Sequence, residues 1–123
     1  MLNPMAVLAY IIKDGMVLLI KRGTPPYLGF WSLPGGGTGK GEDPREACIR
    51  EVKEETGLIV ALKTEEIYRI RSTPIYSCRI LAGKAEPHLP ETVAASWFSL
   101  EEAVQLQLPP FIKEFLKVQR KKI

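Results

Sequence analysis

Cysteine and histidine are scarce in this chain of 123 residues, which contains two cysteines and one histidine. Cys48 and Cys78 are far apart in the sequence and belong to no CxxC pair. Neither a disulfide framework nor a zinc site is therefore expected, and the composition favours a reducing cytoplasm.

Long apolar runs are scarce as well. The apolar run near the N-terminus, residues 5–12, is short, has no basic segment before it and is followed at once by Lys13-Asp14-Gly15. Such a run predicts a β-strand in preference to a signal peptide or a membrane span. We therefore expect no membrane partner.

A large excess of one charge is also missing. The formal net charge is +3, with 25% charged and 46% apolar residues, close to the averages for globular proteins. So small an excess does not favour a dedicated nucleic-acid partner, although it suits an anionic small substrate. The length allows one hydrophobic core, so a single domain over residues 1–123 is expected.

The predicted elements mix strands and helices. The Asp-Gly turn at residues 14–15 separates two β-rich runs, residues 5–12 and 16–22, and predicts a hairpin. Glycine and proline predict a long loop over residues 23–41, interrupted by a short strand at 30–33. Four further strands are predicted from the apolar pattern, at residues 58–62, 66–71, 75–81 and 94–98.

The helix after the long loop has well-marked ends. Asp43 is suited to the N-cap, Pro44 to the first helical position and Gly57 to the C-terminal stop. A short helix at residues 100–105 and a final helix from Pro109-Pro110 to about residue 120 are also predicted. These elements predict an α/β architecture, a mixed β-sheet flanked by helices on both faces.

One face of the first helix carries acidic side chains. At about 100° per residue, Glu51, Glu54 and Glu55 fall on the same side, opposite the apolar positions. Like charges three and four residues apart destabilise an isolated helix, and a divalent cation would reverse that effect. Because the ligands on offer are oxygen atoms, Mg²⁺ or Mn²⁺ is favoured over Zn²⁺, which indicates phosphate chemistry.

The segment from Gly36 to Leu58, GGTGKGEDPREACIREVKEETGL, resembles the signature of the Nudix hydrolase family at every specified position. The matching positions are Gly36, Glu42, Arg50, Glu51, Glu54, Glu55 and Gly57, with Val52 and Leu58 at hydrophobic positions. A chance match at residue frequencies of about 5–7% is on the order of one in a billion. The resemblance implies the α/β/α sandwich of the family and Mg²⁺-dependent hydrolysis of a nucleoside diphosphate linked to another group X.

The resemblance also implies roles for the residues of this segment. The metal would be held mainly by Glu51 and Glu55, with Glu54, Glu42 and a backbone carbonyl at Gly35 or Gly36 as further contacts. Arg50 would orient the carboxylates. Glu54 is at the same time a candidate for the general base.

Three residues are candidates for substrate binding. Lys21 and Arg22, at the end of the second predicted strand, are interpreted as phosphate contacts, and a solvated strand end is the alternative. Gly36 is the third, although the glycines of this loop also serve to allow positive φ angles. Glu91, in a loop stiffened by two prolines, is the second candidate for the general base.

Two single residues bear on the substrate. Pro74 resembles the proline associated with ADP-ribose pyrophosphatases, and Tyr76 resembles the tyrosine associated with diadenosine polyphosphate hydrolases. ADP-ribose or a related nucleoside diphosphate sugar is slightly favoured as the nucleotide-derived substrate. The alternatives are a nucleoside triphosphate pyrophosphohydrolase of the nucleotide-cleansing type, a dinucleoside polyphosphate hydrolase and a catalytically silent nucleotide-binding module. A homodimer is neither required nor excluded.

Overall fold

The computed structural model describes residues 6–122, apart from the side chain of Thr64. The first predicted residue of the first strand, Met5, lies outside the described residues. The described strands are β1 (Ala6–Lys13), β2 (Met16–Arg22), β3 (Trp31–Ser32), β4 (Gly35–Gly37), β5 (Ile59–Ile70), β6 (Thr73–Ala82) and β7 (Thr92–Ser99). The helices are α1 (Pro44–Thr56), α2 (Leu100–Ala103) and α3 (Pro110–Lys121).

Strand β1 is the centre of a mixed sheet. Its first part pairs parallel with β6 and antiparallel with β4, and its last residues pair antiparallel with β2. Strand β5 lies outside β6, while β3 and β7 pair with β2. The turn between β1 and β2 has positive φ at both Asp14 and Gly15, as a two-residue hairpin turn requires. The predicted hairpin and mixed sheet are confirmed.

Helices cover the two faces of the sheet because the side chains of β1 and β2 alternate in direction. Ala9 and Leu18 pack with Val52 of α1 on one face. Tyr10 and Leu19 pack with α2 and α3 on the other face, around residues such as Phe115. The expected flanking of the sheet on both faces is therefore confirmed. Among residues 6–122, none of the helices combines the length and the apolar character needed to cross a bilayer.

Two details of the predicted strands are wrong. Residues 58–62 and 66–71 were expected as separate strands, but Ile59–Ile70 forms the single strand β5. Its pairing with β6 shifts in register between Leu62 and Glu66 and again between Glu66 and Tyr68. The polar residues 63–65, which separate the two predicted strands, therefore belong to one continuous strand with irregular pairing. Strand β4 was expected to be loop, because a run of glycines has little intrinsic preference for a strand.

Both cysteines are buried free thiols, Cys48 on α1 and Cys78 on β6. The neighbouring Cys78 thiol and burial both raise the pKa of Cys48, whose thiol donates to the Leu8 carbonyl. The prediction that these residues form no disulfide agrees with this arrangement.

Phe115 is expected to be a major contributor to folding stability. Its ring is fully buried and lies 5.2 Å from the rings of both Tyr10 and Tyr68. Phe115→Ala should lower the free energy of unfolding by about 3–5 kcal/mol, because it leaves a cavity. Urea denaturation measures this loss. Phe111→Ala, at a position 40% exposed on the same helix, is the matched control and should cost clearly less; equal losses would contradict the assigned core.

Candidate functional site

Helix α1 carries the acidic residues of the site, and both of its ends are fixed locally. The Asp43 carboxylate accepts a hydrogen bond of 2.7 Å from the Arg45 backbone N–H. At the other end Gly57 is left-handed, with φ of 81°, and its N–H donates to the Lys53 carbonyl. These are the ends predicted from the sequence. Because these caps fix where α1 begins and ends, they also fix where its glutamates lie relative to the sheet.

The acidic face of α1 lies directly against strand β4. The Gly35 N–H donates to Glu55 Oε1 at 2.7 Å. A Cβ at Gly36 would lie 2.3 Å from Glu51 Oε2, and a Cβ at Gly35 would lie 2.2 Å from the Val7 carbonyl oxygen. Glycine is therefore required at Gly35, where the neighbour is backbone, whereas a side chain at Gly36 would displace the Glu51 carboxylate. A positive φ was the expected reason for glycine in this loop, but the φ of Gly36 is not positive.

Arg50 ties the other carboxylates together. Its Nε and Nη2 donate to the two oxygens of Glu42 at 2.8 and 2.9 Å. Its Nη1 donates to Glu51 Oε1 at 2.8 Å and to Glu54 Oε2 at 3.1 Å. Nη2 also donates to the Gly37 carbonyl at 2.9 Å. One guanidinium thus fixes three carboxylates and strand β4 with respect to each other.

The carboxylates differ in electrostatic environment. Burial raises the pKa of Glu55 to about 8, opposed by the Gly35 N–H and reinforced by the Glu51 charge. Burial also raises the pKa of Glu51, against the effect of its hydrogen bond with Arg50. The hydrogen bonds from Arg50 lower the pKa of Glu42 to about 2. Negative charge is therefore disfavoured at the two buried positions unless a positive charge joins them.

A cavity of about 310 Å³ opens beside the two buried carboxylates. Its charged lining residues are Glu51, Glu55, Glu91 and Arg22, and Thr24 and residues 35–37 complete the wall. Glu91 reaches it from the loop before β7 and adds to the repulsion that raises the pKa of both helix residues. Three carboxylates and one guanidinium therefore face the same space.

A second, mainly apolar cavity of about 250 Å³ adjoins the first. The two share Arg22, Gly35 and Gly36, and the Arg22 Nε donates to the Pro26 carbonyl at 2.6 Å. The aromatic rings at the second cavity, Tyr27 and Phe111, lie 6.0 Å apart. An arginine thus stands at the junction between a charged and an apolar compartment.

The structure separates the predicted site residues into two groups. Six line the charged cavity: Arg22, Gly35, Gly36, Glu51, Glu55 and, from the later loop, Glu91. Arg50, Glu42 and Glu54 lie outside that lining, joined to it through the guanidinium of Arg50. Lys21 lines neither cavity, because successive residues of a strand point to opposite sides.

The proposed substrate markers do not touch the cavities. Pro74 and Tyr76 are both buried in β6, and Arg45 lies over the Tyr76 ring at 5.7 Å. Thr73, the residue before Pro74, does line the apolar cavity. Three further neighbours were not predicted from the sequence: Thr24 in the charged cavity, Phe111 in the apolar one and the Gly37 carbonyl bound by Arg50.

The residues present fit a divalent cation by type. Among residues 6–122, no three acidic, histidine or cysteine side chains already stand in the arrangement of a metal site. Arg50 donates a hydrogen bond to Glu51, and the Gly35 N–H donates one to Glu55. A carboxylate has about four lone-pair sites, so both can keep these hydrogen bonds and still offer oxygen to a cation. An all-oxygen donor set suits a hard ion such as Mg²⁺.

Fold and site together define an α/β protein with an acidic helix beside a two-compartment cavity. The NUDIX domain matches residues 2–119, and the chain belongs to the Nudix family. Proteins of this family generally use divalent metal ions.

Individual relatives differ in how much of each chain they match. The ADP-ribose pyrophosphatase of Methanocaldococcus jannaschii is 51% identical over 59 residues, which is 48% of this chain and 35% of that protein. The CTP pyrophosphohydrolase of Escherichia coli K12 is 31% identical over 112 residues, 85% of this chain and 82% of that protein. A crystal structure of a NUDIX hydrolase from Nitrosomonas europaea has a TM-score of 0.80 at 24% identity, covering 95% of this chain and 70% of that chain. In five curated relatives the match spans only 30–44% of the protein's own length.

Glu55→Gln should stabilise the metal-free protein at pH 8. The pKa of Glu55 is about 8 in the folded chain and 4.5 as the ordinary value, so the folded state binds more protons between these limits. The free energy of unfolding should therefore fall as pH rises through this window, by up to about 1.4 kcal/mol per pH unit. Glutamine still accepts from the Gly35 N–H and does not ionise, so this fall should disappear.

Urea denaturation in a chelator from pH 5 to 8.5 measures the effect. Glu114→Gln, which removes an exposed carboxylate of α3, is the control and should keep the slope of the parent. Identical slopes in the parent and Glu55→Gln would contradict the electrostatic description of the site. Added Mg²⁺ should stabilise the parent more than Glu55→Gln.

Proposed function

We propose that this chain is a Mg²⁺-dependent hydrolase that cleaves the pyrophosphate bond of a nucleoside diphosphate linked to a group X. ADP-ribose or a related nucleoside diphosphate sugar is the favoured substrate. The observation that carries the proposal is the junction of the two cavities, which share Arg22, Gly35 and Gly36. A substrate with an apolar ring system next to a diphosphate matches this division.

The apolar cavity suits the nucleoside. Its lining includes Leu33, Tyr27 and Phe111, and aromatic and aliphatic side chains bind a base through contact area. Arg22 at the junction would donate to phosphate oxygens, which are good acceptors for a guanidinium. The diphosphate would then extend into the charged cavity towards Glu51 and Glu55.

The charged cavity suits the diphosphate only when the negative charge of the cavity carboxylates is compensated. A divalent cation bound by Glu51 and Glu55 would supply that compensation and lower the pKa of the attacking water. Arg50 holds Glu51 from the opposite side and engages Glu42 and Glu54, which supports a role in orienting the carboxylates. The backbone carbonyl of Gly35, in the cavity wall, is a further candidate contact for the ion.

Glu91 is the better candidate for the general base. Its side chain lines the charged cavity with Glu51 and Glu55. The Glu54 side chain is 55% exposed, is paired with Arg50 and does not line that cavity. A base must come within hydrogen-bonding reach of the water that it deprotonates, directly or through one further water. This geometry favours Glu91 over Glu54.

The relatives support two substrate classes. The name of the Methanocaldococcus jannaschii protein, ADP-ribose pyrophosphatase, supports the favoured class through a match to about half of this chain. The Escherichia coli protein is named CTP pyrophosphohydrolase and is matched over 82% of its length, which supports a nucleoside triphosphate pyrophosphohydrolase as the second candidate. All the acidic residues of the family signature are present in the segment from Gly36 to Leu58, which argues against a silent binding module.

Product analysis should show cleavage within the diphosphate. Incubation with ADP-ribose and Mg²⁺ should yield AMP and ribose 5-phosphate, because water attacks one phosphorus of the bridge. In H₂¹⁸O one of these products should carry a single ¹⁸O on its phosphate, as read by mass spectrometry. A nucleoside triphosphate turned over to the monophosphate and pyrophosphate would select the second candidate. Release of inorganic phosphate alone, or binding of every substrate without turnover, would contradict the proposal.

Glu91→Gln and Glu54→Gln should separate the two candidate bases. Glu91→Gln should lower kcat by roughly 10² or more with metal affinity nearly unchanged, because it removes a proton acceptor. Glu54→Gln should weaken both turnover and metal affinity, because it disturbs the Arg50 network. Steady-state kinetics and Mg²⁺ titration measure the two effects. Near-normal turnover in Glu91→Gln would transfer the role of base to Glu54.

A further inference from the structure

The loop that carries Glu91 is attached to the C-terminal end of α1. The last carbonyls of a helix have no partner within the helix. Here the Glu86 N–H donates to the Thr56 carbonyl at 3.0 Å, and His88 Nδ1 lies 2.6 Å from the Glu54 carbonyl oxygen. A carbonyl only accepts, so Nδ1 carries the proton in this hydrogen bond. His88 thus binds the backbone of the residue directly before Glu55.

Gly57 makes room for the His88 ring. A Cβ at Gly57 would lie 3.3 Å from His88 Nε2, closer than most side chains approach one another. The glycine that ends the helix therefore also forms the surface on which the imidazole rests.

The other end of the loop is attached to strand β2. The Gly23 N–H donates to the Glu91 carbonyl at 2.8 Å, and a Cβ at Gly23 would lie 2.1 Å from the Pro90 carbonyl oxygen. The Thr92 N–H donates to the His88 carbonyl at 3.1 Å, which closes a turn around the intervening residues. Prolines restrict the backbone of this segment. Glu91 is therefore held between two anchored points.

We propose that His88 is a positioning residue, whose hydrogen bond to the Glu54 carbonyl holds the Glu91 side chain at a fixed position relative to Glu51 and Glu55. The inference rests on the proposed function, in which Glu91 accepts a proton beside those carboxylates. The hydrogen bond joins the loop to the same helical turn that supplies Glu55. It thereby fixes the distance across the charged cavity, on which proton transfer depends steeply.

A purely structural role for His88 makes a different prediction. A donor to a C-terminal carbonyl also stabilises a helix, and its loss would lower stability whatever happens at Glu91. A positioning role instead requires that the effect on turnover depend on the presence of the Glu91 carboxylate. The two roles are separated by combining substitutions at both positions.

The kinetic test compares three single variants in the full chain with Mg²⁺. His88→Ala removes the donor and should lower kcat about tenfold with KM within about twofold of the parent. His88→Asn places an amide N–H near the position of Nδ1 and should restore kcat to within about threefold. Leu89→Ala, at the adjacent position that is 75% exposed, is the control and should behave as the parent.

The same substitution is then made in the Glu91→Gln background. There His88→Ala should change kcat less than about twofold, because the group that it positions is already absent. An equal loss in both backgrounds would overturn the inference. Parent-like turnover of His88→Ala would overturn it as well. If Glu91→Gln itself turns over normally, the assignment of Glu91 fails and the inference with it.

Amide hydrogen exchange of the metal-free protein tests the positioning without any turnover. The Gly23 and Thr92 amides, which bind the loop at Glu91 and His88, should exchange at least about tenfold faster in His88→Ala than in the parent or Leu89→Ala. His88→Asn should recover most of the protection. Unchanged exchange in His88→Ala would overturn the inference even if the parent proves active. If the parent hydrolyses none of the substrates, faster exchange in His88→Ala would support the positioning and reject the proposed function alone.

Discussion

The close approach of helix α1 to strand β4 determines where the two helix carboxylates of the charged cavity, Glu51 and Glu55, lie. It depends on glycine at two positions: a Cβ at Gly35 would overlap the backbone of β1, and one at Gly36 would displace the Glu51 carboxylate. The same approach lets the Gly35 N–H bind Glu55. The two glycines thus leave room for α1 to pack closely against β4. This packing gives Glu55 a backbone hydrogen bond that an isolated helix would not offer.

The second constraint is the repulsion among the carboxylates themselves. Two carboxylates about 6 Å apart repel by roughly 0.7 kcal/mol in water and roughly 3 kcal/mol at an effective dielectric of 20. Arg50 offsets this repulsion for Glu42, Glu51 and Glu54. Glu55 accepts from the Gly35 N–H and is only 7% exposed, and burial raises its pKa to about 8. The fold therefore keeps one buried acidic position that a cation, bound together with Glu51, would stabilise.

The sequence predicted the ends of α1 and the common face of its glutamates, because both depend only on neighbouring residues. Asp43 and Gly57 mark the ends of α1, and helical periodicity places its glutamates on one face. Strand β4 could not be predicted, because three glycines form a strand only through pairing with β1. Nor could Arg22 be distinguished from Lys21, since the sheet register shifts between these two residues. The role inferred for His88 depends on a contact across 34 positions of the chain, which no local pattern indicates.

We propose that Glu51 and Glu55, one helical turn apart on α1, share a divalent cation. Anomalous diffraction from crystals soaked in Mn²⁺, which can replace Mg²⁺ at oxygen sites, tests it most directly. We expect an anomalous peak in the charged cavity, within about 2.0–2.4 Å of carboxylate oxygens of both residues. A peak elsewhere with none between these carboxylates, at saturating Mn²⁺, would contradict it.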